Sequence, residues 1–299
     1  MSNTGRSFTP SPSLSPGRIL AGRYRVRAFL GRGSVGEVYE AEDLELAGRV
    51  ALKILRAELA RDERVVRRFQ REIQLTRRVV HPNVCPMYDL VHHQGPAGGE
   101  PVRVFLTMEL LRGETLEELI LRQGPLRPAA ALPIVRQVTA GLAAAHEAGV
   151  IHRDLKSSNV FLVGPRTVVT DFGLAWSAES EAAATLTVTG ELIGSPAYMA
   201  PEQVRGETAS PATDVYALGV VLFEMTTGQL PFVGKSAFYT ALKRLSEPAP
   251  SPRTLVPDID PVWEEVILRC LERAPADRFA AMDDVASALE RVPAFGSGR

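Results

Sequence analysis

With 299 residues, 45% hydrophobic and 23% charged, the chain has the length for a large core and the composition of an ordinary globular protein. A formal net charge of −1 gives no global field toward nucleic acid or anionic lipid, so neither is expected as a partner. No apolar stretch has the length of a membrane span, and the first residues, MSNTGRSFTPSPSLSPG, lack the apolar stretch of a signal peptide. Cys85 and Cys270 lie far apart among apolar neighbours without metal-ligand spacing, which suits buried thiols. Together these features predict a soluble cytoplasmic protein.

Residues 1–23 are rich in Ser, Pro and Thr and are expected to form a disordered tail with three Ser/Thr-Pro pairs. From Tyr24 the pattern becomes strand-like in YRVRAFLG, GEVYEAED and RVALKIL. A charged helix is expected over 61–79, its arginines alternating with acids on a solvated face. Strands CPMYDLVHH and VRVFLTMEL follow, joined by the loop QGPAGGEP. After Gly113 the chain turns helical. In RPAAALPIVRQVTAGLAAAHEAG, Leu132, Val135, Val138, Leu142 and Ala145 form one apolar stripe. Short strands VFLV and TVVTD precede a long polar loop over about 174–200, and four more helices close the chain. This predicts an α+β protein: a small β-rich lobe over 24–111, a larger helical lobe over 112–291 with a crevice between them, and a tail over 292–299.

Along this frame lies an ordered set of chemistry-bearing residues. GRGSVGEV (Gly31, Gly33, Gly36, Val38) joins two strands. A dinucleotide fold would instead continue into a helix. Such a hairpin lets backbone N–H groups approach phosphates without Cβ interference. Lys53 sits inside the apolar strand VALKIL, where a cation is costly unless paired, and Glu72 of RFQREIQL offers a carboxylate. The loop GVIHRDLKSSNV then groups Arg153, Asp154, Lys156 and Asn159, and TDFGLA supplies Asp171. Asp154, Asn159 and Asp171 are oxygen donors suited to a hard cation such as Mg²⁺. APE occupies 200–202. FVGKSA (232–237) is not a P-loop, because Gln229 stands where that motif needs glycine.

In this order, from the glycine loop to APE, the set resembles the protein kinase family, over residues 24 to about 290. The resemblance implies the two-lobed kinase fold, ATP and Mg²⁺ as cofactors (with Mn²⁺ able to substitute) and protein substrates. It places Gly31, Arg32, Gly33, Ser34, Val35 and Gly36 over the phosphates, and Val38 and Ala51 on the adenine. Lys53, held by Glu72, would meet the α- and β-phosphates. Met108 matches the gatekeeper, and Glu109 to Leu111 the hinge. Glu114 is positioned to reach the ribose. Asp171 and Asn159 would hold the metal, and Asp154 would orient the attacking hydroxyl and accept its proton. Glu202 pairing with Arg278, and Asp214 tying a central helix to the catalytic loop, are structural by the same resemblance.

Lys156 beside Asp154, in D-L-K-x-x-N, and Ser195 in GSPAYMAPE resemble the Ser/Thr-specific branch. GELIGSPAYMAPEQVRGE and HPNVCPMYDL are most similar to the eukaryotic-like kinases of bacteria. Arg153 would bind an activation-loop phosphate, with Thr187 and Thr189 as the expected autophosphorylation sites. Bacterial relatives can dimerise through the small lobe. Membrane-bound ones carry a span and sensor after the kinase, so the chain is expected to be a stand-alone enzyme or a catalytic domain. Two other classes compete. A pseudokinase scaffold is opposed by the retention of Lys53, Asp154 and Asp171, and small-molecule phosphotransfer by APE and GSPAY.

Overall fold

The computed structural model describes residues 12–33, 36–93, 103–172 and 196–291. Two compact units form, one from 1–66 with 88–110 and one from 67–87 with 111–299.

The first unit is built on a six-stranded sheet in the order β1-β2-β3-β4-β6-β5. Its strands are β1 (Ile19–Leu20), β2 (Tyr24–Arg32), β3 (Gly36–Asp43), β4 (Gly48–Leu55), β5 (Met87–His93) and β6 (Arg103–Glu109). The alternation seen in the sequence becomes two faces. Tyr39, Ala41, Val50, Leu52 and Ile54 join Leu20, Tyr24, Val26 and Phe105 in one apolar cluster. Short α1 (Ala57–Ala60) leads to α2 (Glu63–Thr76), whose buried stripe is Val66, Phe69, Ile73 and Thr76.

The tail expectation fails for residues 12–23. Leu14 is buried in the same cluster, and its N–H donates to the Tyr39 hydroxyl at 3.1 Å. Ser13 donates from both N (3.0 Å) and Oγ (2.5 Å) to Glu37. Ile19 and Leu20 pair with Arg25 and Tyr24. One apolar anchor and a carboxylate receptor therefore order a stretch whose composition alone reads as disordered.

Segment 67–87, expected with the first block, belongs to the second unit. Cys85 N donates to Val169 O (2.9 Å) and Val169 N to Asn83 O (2.8 Å). The buried Asn83 amide donates to Thr167 O (2.7 Å) and Gln137 Oε1 (2.9 Å). Buried backbone and amide groups need such partners, and these are supplied by the strand Arg166–Val169 and the helix Pro128–Glu147. The rest of the second unit comprises β7 (Glu114–Thr115), α3 (Leu116–Gln123), α4 (Pro128–Glu147), β8 (Val160–Val163), β9 (Arg166–Val169), α5 (Pro201–Val204), α6 (Pro211–Thr227), α7 (Ala237–Ser246), α8 (Pro261–Cys270) and α9 (Met282–Glu290). β7, β8 and β9 form a small antiparallel sheet.

Helix α4 buries Ala131, Val135, Val138, Leu142 and Ala145, with Leu132 only half-buried, so Ala131 takes the first position of the stripe. Helix α6 is buried on almost every side, and so its sequence, VYALGVVLFEM, shows no polar face. Both cysteines are buried, and burial pushes the Cys270 thiol up to about 12. No described helix is long and apolar enough to cross a membrane.

Candidate active site

Each unit carries part of the predicted constellation. In the first, β3 pairs with β4 so that Val38 stands opposite Lys53, while β4 pairs with β6 with Ala51 opposite Met108. Partners across an antiparallel pair share a face, and residues two apart on one strand do too. Val38, Ala51, Lys53 and Met108 therefore occupy one face, and the apolar cluster lies on the other. Lys53 is only 5% exposed. Glu109 ends β6 opposite Val50, and Leu111, which begins the next segment of the second unit, is half-buried.

The glycines of the hairpin differ in what they do. At Gly36 a Cβ would sit 1.7 Å from Ile54 O, so close strand packing excludes any larger residue. At Gly31 and Gly33 a Cβ would meet no protein atom within 4 Å, and neither has a positive φ. Neither packing nor backbone conformation requires those two glycines. The open space suits the close approach of a phosphate, as the sequence predicts. Gly33 N donates to Gly36 O at 2.8 Å, and the Arg32 guanidinium rests on Glu37. The Glu37 carboxyl is raised by burial, but hydrogen bonds from Ser13, Tyr39 and Arg32 outweigh that and hold it at about 2. Ser34 and Val35 lie outside the described residues.

In the second unit the loop 151–159 is held from beneath by one carboxylate. Asp214, fully buried near the start of α6, accepts from His152 N (2.8 Å), Arg153 N (2.9 Å) and His146 Nε2 (2.7 Å). These bonds hold Arg153 at φ 66°, a conformation that costs a non-glycine residue about 1 kcal/mol or more. His152 is also fully buried. Its Nδ1 accepts from Asp154 N (3.2 Å), which leaves the ring proton on Nε2 to donate to Thr170 O (2.9 Å).

On the loop so fixed, Lys156 Nζ donates to Asp154 Oδ2 at 3.0 Å, with both side chains about one-sixth exposed (16% and 17%). Asn159, at the end of a short 3₁₀ turn, donates its amide to Asp154 O at 2.8 Å. That contact turns the amide nitrogen toward the loop. Thr170 N donates to Asn159 O at 2.9 Å, which places Asp171, at φ 65°, one residue from a direct tie to Asn159. Asn159 offers a side-chain amide oxygen and Asp171 a carboxylate, both hard donors of the kind that Mg²⁺ takes together with phosphate and water.

The matching family model is the protein kinase domain, over residues 24–289. The chain belongs to the protein kinase family.

Its kinase domain is 39% identical to the Serine/threonine-protein kinase PrkC of Bacillus subtilis, over 90% of this chain and 40% of that protein. It is 40% identical to the Serine/threonine-protein kinase pkn3 of Myxococcus xanthus, over 95% of this chain and 52% of that one. The chain thus spans about half the length of these curated relatives or less. Among solved structures, the PknI kinase domain of Mycobacterium tuberculosis matches with a TM-score of 0.73 and 28% identity, covering 93% of this chain and 99% of that one. The kinase domain has the two-lobed kinase fold, with a curled β-sheet lobe and a helical lobe.

Several residues of the kinase domain stand differently from the sequence expectations. Glu72 accepts from Arg153 Nη1 at 2.8 Å, so the expected lysine partner and the expected phosphate-binding arginine are joined to each other. Glu114, expected near the ribose, is gripped by Arg122 through Nε (3.1 Å) and Nη2 (2.6 Å). Glu202 and Arg278 meet as predicted, in a two-pronged pair at 2.8 Å on each side. Burial works to raise the Glu202 carboxyl, but Arg278 and Thr213 overcome it and hold Glu202 below the usual range. Thr187, Thr189 and Ser195 lie outside the described residues.

The sequence reading missed three positioning residues. Gln203 donates to Arg153 O at 2.8 Å and accepts from Ala200 N at 2.9 Å. The Tyr198 hydroxyl meets Ser157 Oγ at 3.0 Å and donates to Glu224 at 2.6 Å. Burial raises both the Tyr198 hydroxyl and the Glu224 carboxyl above their usual ranges, so the phenol keeps the proton it donates. His146 had only its place on α4 to announce it.

Proposed function

We propose that the chain is an ATP-dependent protein serine/threonine kinase that transfers the γ-phosphoryl group of Mg-ATP to Ser or Thr hydroxyls of protein substrates. The observation that carries this reading is the Lys156–Asp154 contact on a loop held by Asp214. Asp154 keeps a partly exposed carboxylate able to orient the acceptor hydroxyl and take its proton, and Lys156 offers a cation to the moving phosphoryl group.

Asn159 and Asp171 would hold the metal, which when bound neutralises charge on the phosphate oxygens. Lys53 would contact the α- and β-phosphates, Gly31, Gly33 and Gly36 would admit them under the hairpin, and Val38, Ala51 and Met108 would line the adenine. The backbone of Glu109 to Leu111 would read the adenine edge. Activation is proposed to follow autophosphorylation at Thr187 and Thr189, the phosphate drawing Arg153 away from Glu72.

The test is transfer of labelled phosphate from Mg-ATP to histone, followed by phosphoamino-acid analysis. Phosphoserine and phosphothreonine without phosphotyrosine are expected. Label on tyrosine, or none under Mg²⁺ or Mn²⁺, would overturn the reading.

A further inference from the structure

Helix α7 is inverted in polarity. Tyr239 (57%) and Leu242 (39%) face solvent, while Arg244 on the same helix is completely buried. A buried guanidinium ordinarily lies against a carboxylate. Among the described residues, Arg244 instead donates to two backbone carbonyls, Met199 O at 2.5 Å through Nη1 and Ala197 O at 3.1 Å through Nη2. Its remaining neighbour of note is the Phe232 ring, 5.9 Å from the guanidinium carbon, and its buried Nε has no hydrogen-bond partner. Desolvation pushes the guanidinium pKa down, and no carboxylate lies against Arg244 among the described residues.

A cation without a counter-ion is a poor choice for filling space. Apolar residues of similar volume commonly serve as well or better where only packing is required. What Arg244 offers that they cannot is a rigid fork of donors for two carbonyls that flank one residue. That residue is Tyr198, whose hydroxyl is bound to Ser157, next to Lys156, and to Glu224 of α6. Residues 197–199 are therefore fixed twice, by their carbonyls from α7 and by the phenol from the catalytic loop. The segment belongs to GSPAYMAPE, the stretch whose presence in the sequence favours a protein substrate over a small molecule.

We propose that Arg244 is a positioning residue for the protein substrate, holding the backbone of Ala197–Met199 in the shape that receives the acceptor peptide. This rests on the protein-kinase reading above. Buried as it is, Arg244 acts through the carbonyls it holds rather than by meeting nucleotide or acceptor itself. Its loss frees two buried carbonyls and lets the receiving segment relax, while Asp154 and Lys156 keep their support from Asp214.

The full chain is assayed with histone as wild type, Arg244→Met and Arg244→Lys, with KM for histone, KM for ATP and kcat measured separately. Arg244→Met is expected to raise the histone KM by about tenfold, with kcat and the ATP KM moving less than about twofold. Arg244→Lys, which can serve one carbonyl, is expected to fall between the two and so partly rescue. An unchanged histone KM in both variants overturns the proposal, as does a fall in kcat and a rise in both KM values together, which would mark a general structural role. If Arg244→Met does not fold, the lysine variant decides, since an unaltered histone KM there removes the two-carbonyl requirement. Inactive wild type would refute the kinase reading itself, whereas active wild type with unchanged variants refutes only the role of Arg244.

Discussion

Two cation–carboxylate pairs in the second unit carry the same charges and differ in structure. Arg278 and Glu202 are sealed, with side chains 0% and 3% exposed, and nearly every donor and acceptor is used. Arg278 also serves Ala212 O, Glu272 O and Arg273 O and lies over the Tyr216 ring. Lys156 and Asp154 meet through one hydrogen bond, Asp154 Oδ2 also lies 3.5 Å from the Asn159 amide nitrogen, and each side chain keeps part of its surface open. A carboxylate whose hydrogen-bonding capacity is saturated in the fold can stabilise the protein but has nothing left for a substrate. One held by a single cation, on a backbone fixed by other residues, can exchange that partner during a reaction. Saturation, more than burial or charge, separates the structural pair from the pair proposed to act in phosphoryl transfer.

This comparison breaks if exchanging the two carboxylates gives the same kind of defect. Glu202→Gln leaves Arg278 buried without its counter-charge and is expected to cost about 3–5 kcal/mol of stability, read by denaturant unfolding. The pH dependence sharpens the point. The Glu202 pKa lies below its unfolded value, so its contribution is fully present above about pH 4 and is lost as the pH falls through the folded value. The wild type should therefore lose stability on acidification below about pH 4, and Glu202→Gln should lose less over the same range.

A smaller effect is expected from the N-terminal stretch. Leu14→Ala removes a buried anchor of the first unit and should cost about 2–3 kcal/mol of stability in the same unfolding assay. No effect would mean that residues 12–20 add nothing to that core. The smallest belongs to the exposed pair of Arg122 and Glu114, 55% and 36% exposed at the side chains, where Arg122→Ala should change stability by less than about 1 kcal/mol.

Most of the frame was legible because it rests on short-range pattern. GEVYEAED and RVALKIL read as strands from their pattern, the family resemblance brought Val38, Ala51 and Lys53 to one site, and the spacing of Asp154, Lys156 and Asn159 reflects one loop and one 3₁₀ turn. What was not legible depends on partners distant in the chain. Leu14 sits in a Ser/Pro-rich stretch that reads as disorder until Tyr39 and Glu37 are brought beside it. Arg244 looks like any arginine near the end of an amphipathic helix, because nothing local shows that the carbonyls of Ala197 and Met199 await it. Asn83 reads as a turn residue until β9 and α4 present Thr167 and Gln137. The bond between Glu72 and Arg153 was not legible for a related reason: the two lie 81 residues apart, and nothing local pairs them.

The most direct measurement compares Asp154→Asn with Glu202→Gln in phosphate transfer from Mg-ATP to histone, each rate normalised to the folded fraction from unfolding curves. Asp154→Asn is expected to lose about 10²–10⁴ in rate with an unchanged unfolding midpoint. Glu202→Gln should show the reverse, a lowered midpoint with near-normal transfer per folded molecule. Equal transfer by wild type and Asp154→Asn would contradict the role proposed for Asp154.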